Sequence, residues 1–410
     1  SYFPVFMLGA IFGKVMEETG LARGLASAII NGLGKEPAKA VLSIVLAGSI
    51  LTYGGVLLFV VVFAVYPFAA ALFKEANYPK RLIPVCIALG AFTATMDCLP
   101  GTPQIQNIIP TTYFGTNLYA GPLAGIIGAV IIYGVGGFFI IHRLKSCIAK
   151  GEGYGNHTLN EPVLDPNAKL FSWQVACLPL LTVLVVNFVV TEFVAWNPDI
   201  LVPFQHMKGV PLVAAKVQNV VSIWALIIAL VCGIIVALIA GWREVKTVDS
   251  MSKILNAGAI GSLLAIMNTA SEVGYGNVIS QLPGFAEVAG FLMSIHIGGT
   301  PLVSEAVSVT VLAGITGSAS GGLAIALELM AQDWLAWGQS IGMGPEILHR
   351  VASMASGGLD TLPHNGAIIT LLAVCGLTHK ESYKDIFVIT VLKTFTVFVI
   401  IFIYSVTGLH

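Results

Sequence analysis

The sequence predicts an all-α polytopic membrane protein of two inverted-topology repeats, each holding a re-entrant helical hairpin and a broken transmembrane helix. Three observations predict it: a composition too apolar for a soluble globule, continuous apolar runs of spanning length, and phrases that recur in the same order in both halves. Of 410 residues, 56% are hydrophobic and 10% charged, with a mean hydropathy of +0.89, far from soluble-domain usage. The runs 118–141, 175–194, 219–240 and 386–404 each approach the roughly 20 apolar residues that cross a hydrocarbon core as a helix. A barrel would need segments of about ten residues with alternating polarity, and these runs do not alternate.

Residues 1–141 form the first repeat, with a hairpin at 38–73 and a broken helix at 82–115. The chain enters an apolar stretch at Ser1 without a methionine, so further N-terminal helices are expected before it. Lys and Arg accumulate in alternate connections: Lys35 and Lys39; Lys74, Lys80 and Arg81; Arg143, Lys145, Lys150 and Lys169; Arg243, Lys246 and Lys253; Lys380 and Lys384. The other connections hold Lys208, Lys216 and Arg350. By the positive-inside rule the first set is cytoplasmic, which requires the segments about 38–73 and 300–337 to dip in and return.

Residues 142–172 are a polar cytoplasmic linker; their "GEGYG" follows no strand and opens no helix, which argues against a nucleotide site. Residues 173–249 supply scaffold helices. Residues 250–410 form the second repeat, with a hairpin at 300–337 and a broken helix at 345–377.

The repeat rests on three matches. "VLAGSILTYGG" (45–55) returns as "VLAGITGSASGG" (311–322), "DCLPGTP" (97–103) as "DTLPHNG" (360–366), and, more faintly, "VMEETG" (15–20) as "TASEVG" (269–274). The charge bias sets the two hairpins on opposite sides. Inverted repeats of this kind mark secondary transporters, whose sites sit where interrupted helices meet near mid-membrane.

Unpaired backbone in hydrocarbon costs several kcal/mol per group, so a break has to face protein, water or a ligand. Proline and glycine in "LPGTP" and "LPHNG" end one half-helix and start another. The following half-helices aim positive N-termini inward, suiting a carboxylate. The preceding ones end near Asp97 and Asp360 with exposed carbonyls, suiting a cation.

Asp97 and Asp360 are therefore read as the cation-coupling acids, binding Na+ when ionised or carrying H+; the plainer reading makes them structural caps. Gln104 and Asn107 on one side, and His364 and Asn365 on the other, either contact a substrate carboxylate or hydroxyl or only satisfy loose backbone. Thr52, Thr102, Thr316, Ser318 and Ser320 suit the lining of a polar cavity, although such hydroxyls often bond their own helix. Glu17, Glu18, Glu272, Glu305, Glu328 and Asp333 read mainly as interfacial or helix-pairing groups, with a coupling role the alternative for Glu18 and Glu272, which match across the repeat. The six tryptophans (Trp173, Trp196, Trp224, Trp242, Trp334, Trp337) read as interface anchors.

Six scattered cysteines without a C-x-x-C pair suggest neither disulfides nor zinc. No catalytic motif, metal-ligand spacing, cofactor site or nucleic-acid signature stands out; a channel or a membrane enzyme are the rival classes.

At "LTYGGVLLFVVVFAVYP" (51–67), "LPGTPQIQNIIPTTYFGT" (99–116) and "LPHNGAIITLLAVCGLTH" (362–379), with "RLIP" (81–84) and "SYKDI" (382–386), the chain resembles the gluconate permease family of the ion transporter superfamily, and more closely its hydroxybutyrate permease-like branch. The resemblance runs from about residue 5 to 405. It implies an elevator-type transporter whose hairpins and broken helices move against a dimerising scaffold among membrane lipids, importing small organic acids with H+ or Na+. It assigns the tips Thr52 to Gly55, with Gly54, and Thr316 to Gly322, with Gly321, and the breaks Asp97 to Pro103 and Asp360 to Gly366. The second tip, "GSASGG", lacks the signature associated with gluconate carriers, and the Ser-Asn-Thr motifs of dicarboxylate symporters are missing. The expectation is a proton-coupled symporter of the bacterial inner membrane for a short monocarboxylate such as 3-hydroxybutyrate.

Overall fold

The computed structural model describes residues 3–409 apart from 57, 162–169, 205–216, 218–219, 280–281, 285–286, 288–290, 292–293 and 296. Lys208, Lys216 and the side chain of Glu272 lie outside the described residues. The regular elements of the described chain are all helical. Helices α1 (Phe3–Glu18) and α2 (Leu21–Leu33) precede a hairpin of α3 (Pro37–Tyr53) and α4 (Leu58–Glu75). An interrupted helix follows, comprising α5 (Ile83–Ala91), the single turn α6 (Ala94–Asp97) and α7 (Ile105–Phe114). Then come α8 (Pro122–Ala149), α9 (Trp173–Glu192), α10 (Val221–Ala240), the short α11 (Trp242–Val245) and α12 (Val248–Ile279). The last third repeats the earlier succession: a hairpin of α13 (Leu302–Thr316) and α14 (Ala319–Ser340), an interrupted pair α15 (Pro345–Ser356) and α16 (Gly366–Cys375), and the long α17 (His379–Thr407).

Helices α8, α9, α10 and α17 are long and apolar enough to cross a bilayer, matching the four apolar runs. The chain is a multi-pass helical membrane protein. Helix α1 packs on α12 and α10, and α9 on α10, while α3 to α8 and α13 to α17 form the body that holds both interrupted helices. Within it one arm of each hairpin reaches the other half: α14 packs on α7 and α4 on α16.

Both hairpins turn on glycine. Gly55 has φ 93°, a left-handed conformation only glycine adopts readily, and Val56 N–H returns to Leu51 O at 3.0 Å. At the second tip Gly317 (φ 65°) closes α13, and Ser318 caps α14 by accepting from Gly321 N–H at 3.1 Å.

The basic end is tied together by charge. Asp385 of α17 accepts from Arg81 Nη1 at 2.7 Å and from Arg143 Nε at 2.8 Å, while Arg81 also grips Glu152. The described part of the linker is laced to both halves: Glu161 accepts from Lys80 at 2.8 Å, Asn160 Nδ2 donates to Ala373 O at 2.7 Å, and Tyr66 hydroxyl donates to Asn160 O at 2.9 Å. Arg81 hydrogen-bonded to Glu152 holds that carboxyl below its usual range. At Glu161 burial pushes upward, and the Lys80 and Lys74 hydrogen bonds outweigh it, so the net shift is downward.

Two sequence expectations are corrected. Arg350, expected in an external connection, is fully buried inside α15, because helix starts at Pro345 and turns the arginine toward the first break. Trp334, expected at an interface, is fully buried in α14 and donates from Nε1 to Ser304 Oγ at 3.1 Å; the indole finds its polar partner in the protein core. Trp173 and Trp242 are exposed.

Candidate functional site

Each interruption is held by polar side chains that satisfy the backbone the helix has released. At the first, Thr102 hydroxyl donates to Thr95 O at 2.5 Å, Tyr53 hydroxyl to Pro100 O at 2.8 Å, and Asn107 Nδ2 to Thr102 O and Leu118 O at 3.0 and 2.9 Å. Gln104, at the N-cap of α7, donates to Thr52 O at 2.7 Å, stitching the break to the first hairpin. The second interruption uses the same device. Asn365 caps α16 by accepting from Ala367 N–H at 2.6 Å and donates from Nδ2 to Gly317 O at 2.7 Å. His364 Nε2 pairs with Gly314 O at 2.9 Å.

The side chains singled out from sequence thus fall into two groups. Gln104, Asn107, Thr102, His364 and Asn365 bond backbone of the breaks and tips. Thr316 hydroxyl donates to Leu312 O at 2.9 Å in its own helix, and Ser318 and Ser320 hydroxyls lie 3.4 Å apart at the second tip beside Gly321. Thr52 differs: its hydroxyl is buried without a hydrogen-bond partner among the described residues. Gly54 and Gly55 bring the first tip against Leu180 and Val183 of α9. Beside it a cavity of about 240 Å³ is lined by Tyr53, Gly54, Thr95, Leu99, Cys177 and Leu180 among others. A second cavity, of about 440 Å³, opens near Thr116, Asn117, Trp196 and Glu346. Glu18 ion-pairs with Lys14 at the partly exposed end of α1, away from the breaks.

Asp97 and Asp360 are both buried and share one neighbour that sequence reasoning missed. Lys393, at the middle of α17, is 1% exposed. Its ammonium donates to Phe92 O at 2.6 Å and Asp360 Oδ1 at 2.9 Å, and stands 3.9 Å from Asp97 Oδ2. Phe92 follows α5 directly, so the ammonium sits among half-helix C-terminal carbonyl and carboxylates, the setting that suits a cation. Among the described residues Asp97 Oδ2 has no hydrogen-bond partner, while Oδ1 accepts from Cys98 Sγ at 3.1 Å.

A second buried cation closes the junction. Arg350 donates from Nε to Ala120 O at 3.0 Å and from Nη1 to Asp97 O at 3.2 Å, and Ser353 hydroxyl donates to Asp97 O at 2.8 Å. Next to it, His349 bridges Thr116 Oγ1 (2.6 Å) and Asn107 Oδ1 (3.0 Å). Since Asn107 Nδ2 already donates twice, Oδ1 is the acceptor, which assigns the imidazole proton to Nε2 and makes Nδ1 the acceptor of the Thr116 hydroxyl. Glu305, expected at an interface or pairing helices, is fully buried in α13, both carboxyl oxygens without a hydrogen-bond partner among the described residues. The signal for Lys393 was present in the sequence: a single lysine in the apolar run "VITVLKTFTVFVII" is an intramembrane charge and a functional residue by default.

Spanning helices around two interrupted helices with buried ionisable groups define a polytopic membrane transporter. The crystal structure of the Alcanivorax borkumensis YdaH transporter has a similar fold, with a TM-score of 0.58 over 98% of this chain and 85% of that one at 13% identity. The chain belongs to the family of the Bacillus subtilis protein named uncharacterized transporter YxjC, to which it is 50% identical across 100% of its own length and 87% of the relative's. It is also 25% identical to an uncharacterized transporter of Haemophilus influenzae, over 92% of this chain and 78% of that protein. No family model matches the sequence.

Proposed function

We propose that the chain imports a small monocarboxylate or hydroxycarboxylate such as 3-hydroxybutyrate together with a proton across the bacterial inner membrane, as a member of the hydroxybutyrate permease-like branch of the gluconate permease family. The observation that carries this reading is the charge balance where the two breaks meet. The carboxylates of Asp97 and Asp360 are opposed there by Lys393, with Arg350 buried beside them on the Asp97 backbone carbonyl, and arginine stays protonated in proteins. Empty, this junction is neutral. A bound carboxylate alone leaves one uncompensated negative charge, whose burial costs several kcal/mol. A proton on either aspartate restores neutrality, so the empty and the fully loaded forms can cross and the half-loaded form is held back. Coupling follows from that difference.

The same balance favours H+ over Na+. The carboxylate and carbonyl oxygens that a Na+ ion would need already hold the Lys393 ammonium. On this reading the N-termini of α7 and α16 face the substrate carboxylate, Thr52 and the tip residues Gly54, Gly55, Thr316, Ser318, Ser320 and Gly321 complete the site, and Gln104, Asn107, His364 and Asn365 hold its walls. The two hairpin-plus-break units are inverted repeats that move as one body against α1, α9, α10 and α12, elevator-fashion, in a homodimer.

Uptake of labelled 3-hydroxybutyrate by protein reconstituted in liposomes tests the proposal. Accumulation driven by an inward proton gradient, lost in Asp97→Asn and Asp360→Asn, is expected; gluconate should compete weakly. Downhill equilibration without accumulation would mean a channel, chemical conversion an enzyme, and unaltered uptake by both variants would remove the aspartates from coupling.

A further inference from the structure

We propose that Lys393 is a tethered cation: its ammonium occupies a monovalent-cation site built by Asp97, Asp360 and the carbonyl of Phe92, and removing it exposes a site that a free cation of similar charge then fills. The proposal rests on reading the two aspartates as the cation site, and it says what normally occupies that site. A buried ammonium has three donors to satisfy, and what marks this one is where its acceptors come from. They are a carbonyl at 2.6 Å, a carboxylate at 2.9 Å and a second carboxylate oxygen at 3.9 Å that has no hydrogen-bond partner among the described residues. These acceptors come from the first break, the second break and the end of α5, so the ammonium touches both repeats at their interruptions.

The site is shaped for a small cation. Gly357, which follows α15, leaves no room for a side chain beside it: a Cβ there would lie 1.9 Å from Asp97 Oδ2 and 3.1 Å from Lys393 Cε. The charge balance gives the consequence. Without the lysine, the two carboxylates keep one buried cation nearby among the described residues, Arg350 on the Asp97 backbone carbonyl, and the junction carries one excess negative charge that a buried site tolerates poorly. A free cation then becomes part of the folded protein, and its binding adds to stability by mass action.

The test is Lys393→Met, purified in detergent and titrated with methylammonium chloride against choline chloride at equal ionic strength, read by thermal unfolding. Methylammonium presents the same headgroup on one carbon. The variant is expected to gain a saturable stabilisation, about tenfold in the folded-to-unfolded ratio when methylammonium is tenfold above its dissociation constant, while the wild type stays flat. Asp360→Asn/Lys393→Met, which keeps the junction neutral, should fold and lose the response. If Lys393→Met does not survive extraction in choline, monodisperse yield becomes the readout: recovery in methylammonium supports the tethered cation, and equal loss in both salts overturns it. An equal response of variant and wild type, or none in a folded variant, also overturns it. No carboxylate enters this titration, so a wrong substrate class leaves its outcome intact.

Discussion

Gly357→Ala probes the junction without touching a charge. The new methyl would stand 1.9 Å from Asp97 Oδ2 and 3.0 Å from its Cγ, where real Cβ atoms essentially never approach within 3.0 Å. The carboxylate has to withdraw, yet the Asp97 backbone is held by Ser353 and Arg350, and Oδ1 by Cys98. What yields is the approach of Oδ2 to Lys393. Overpacking of this kind costs about 1–3 kcal/mol, partly offset because Gly357 has φ −78° and ψ −8°, which alanine adopts freely. At about 1.4 kcal/mol per tenfold change in rate, the same displacement in the moving form slows uptake roughly 5- to 140-fold. Thermal unfolding and initial uptake rates are measured beside Gly261→Ala on α12, whose Cβ meets nothing within 4 Å among the described residues and which should match or exceed wild-type stability. A Gly357→Ala protein indistinguishable from that control would refute the contact on which the junction depends.

Three further outcomes are expected. Asn365→Ala removes the cap of α16 and the stitch to Gly317, lowering stability by about 0.5–2 kcal/mol; Asn365→Asp keeps the cap, so transport lost in both variants with stability lost only in the first identifies the stitch as the functional part. Glu161→Gln loosens the linker at neutral pH by about 1–3 kcal/mol, because the fully buried Lys80 side chain loses its anionic partner, and limited proteolysis at 150–161 should accelerate. Glu152 and Glu161 have lowered folded-state values, so their contribution is complete above the unfolded carboxyl pKa of about 4.3 and is lost only as pH falls through the lower folded values; proteolysis of the wild-type linker should therefore be flat from neutral pH down to that range and rise below it.

Four apolar runs were legible because a membrane demands length and hydrophobicity together, and each reappears inside or overlapping a helix long and apolar enough to span. The sites of interruption were legible too, since hydrocarbon tolerates proline, glycine and an acid together only where the freed backbone and the charge find partners. What the sequence concealed was partnership. Lys393 lies 33 positions from Asp360 and far from Phe92, and no spacing rule connects groups brought together by packing α17 against α5. Arg350 was misjudged for a related reason: charge bias counts a basic residue near an apparent loop without knowing that helix has already begun at Pro345. Trp334 went the same way, its indole satisfied by Ser304 across the second hairpin rather than by lipid headgroups.

The charge balance at the junction makes one demand on the complete transport cycle. With one proton accompanying one monocarboxylate, no net charge moves. In liposomes holding the reconstituted protein, an inward pH gradient with the membrane potential clamped to zero should drive accumulation of labelled 3-hydroxybutyrate, whereas a valinomycin-set potential without a pH gradient should drive none. Accumulation driven by potential alone, or a transport current that scales with uptake, would contradict it.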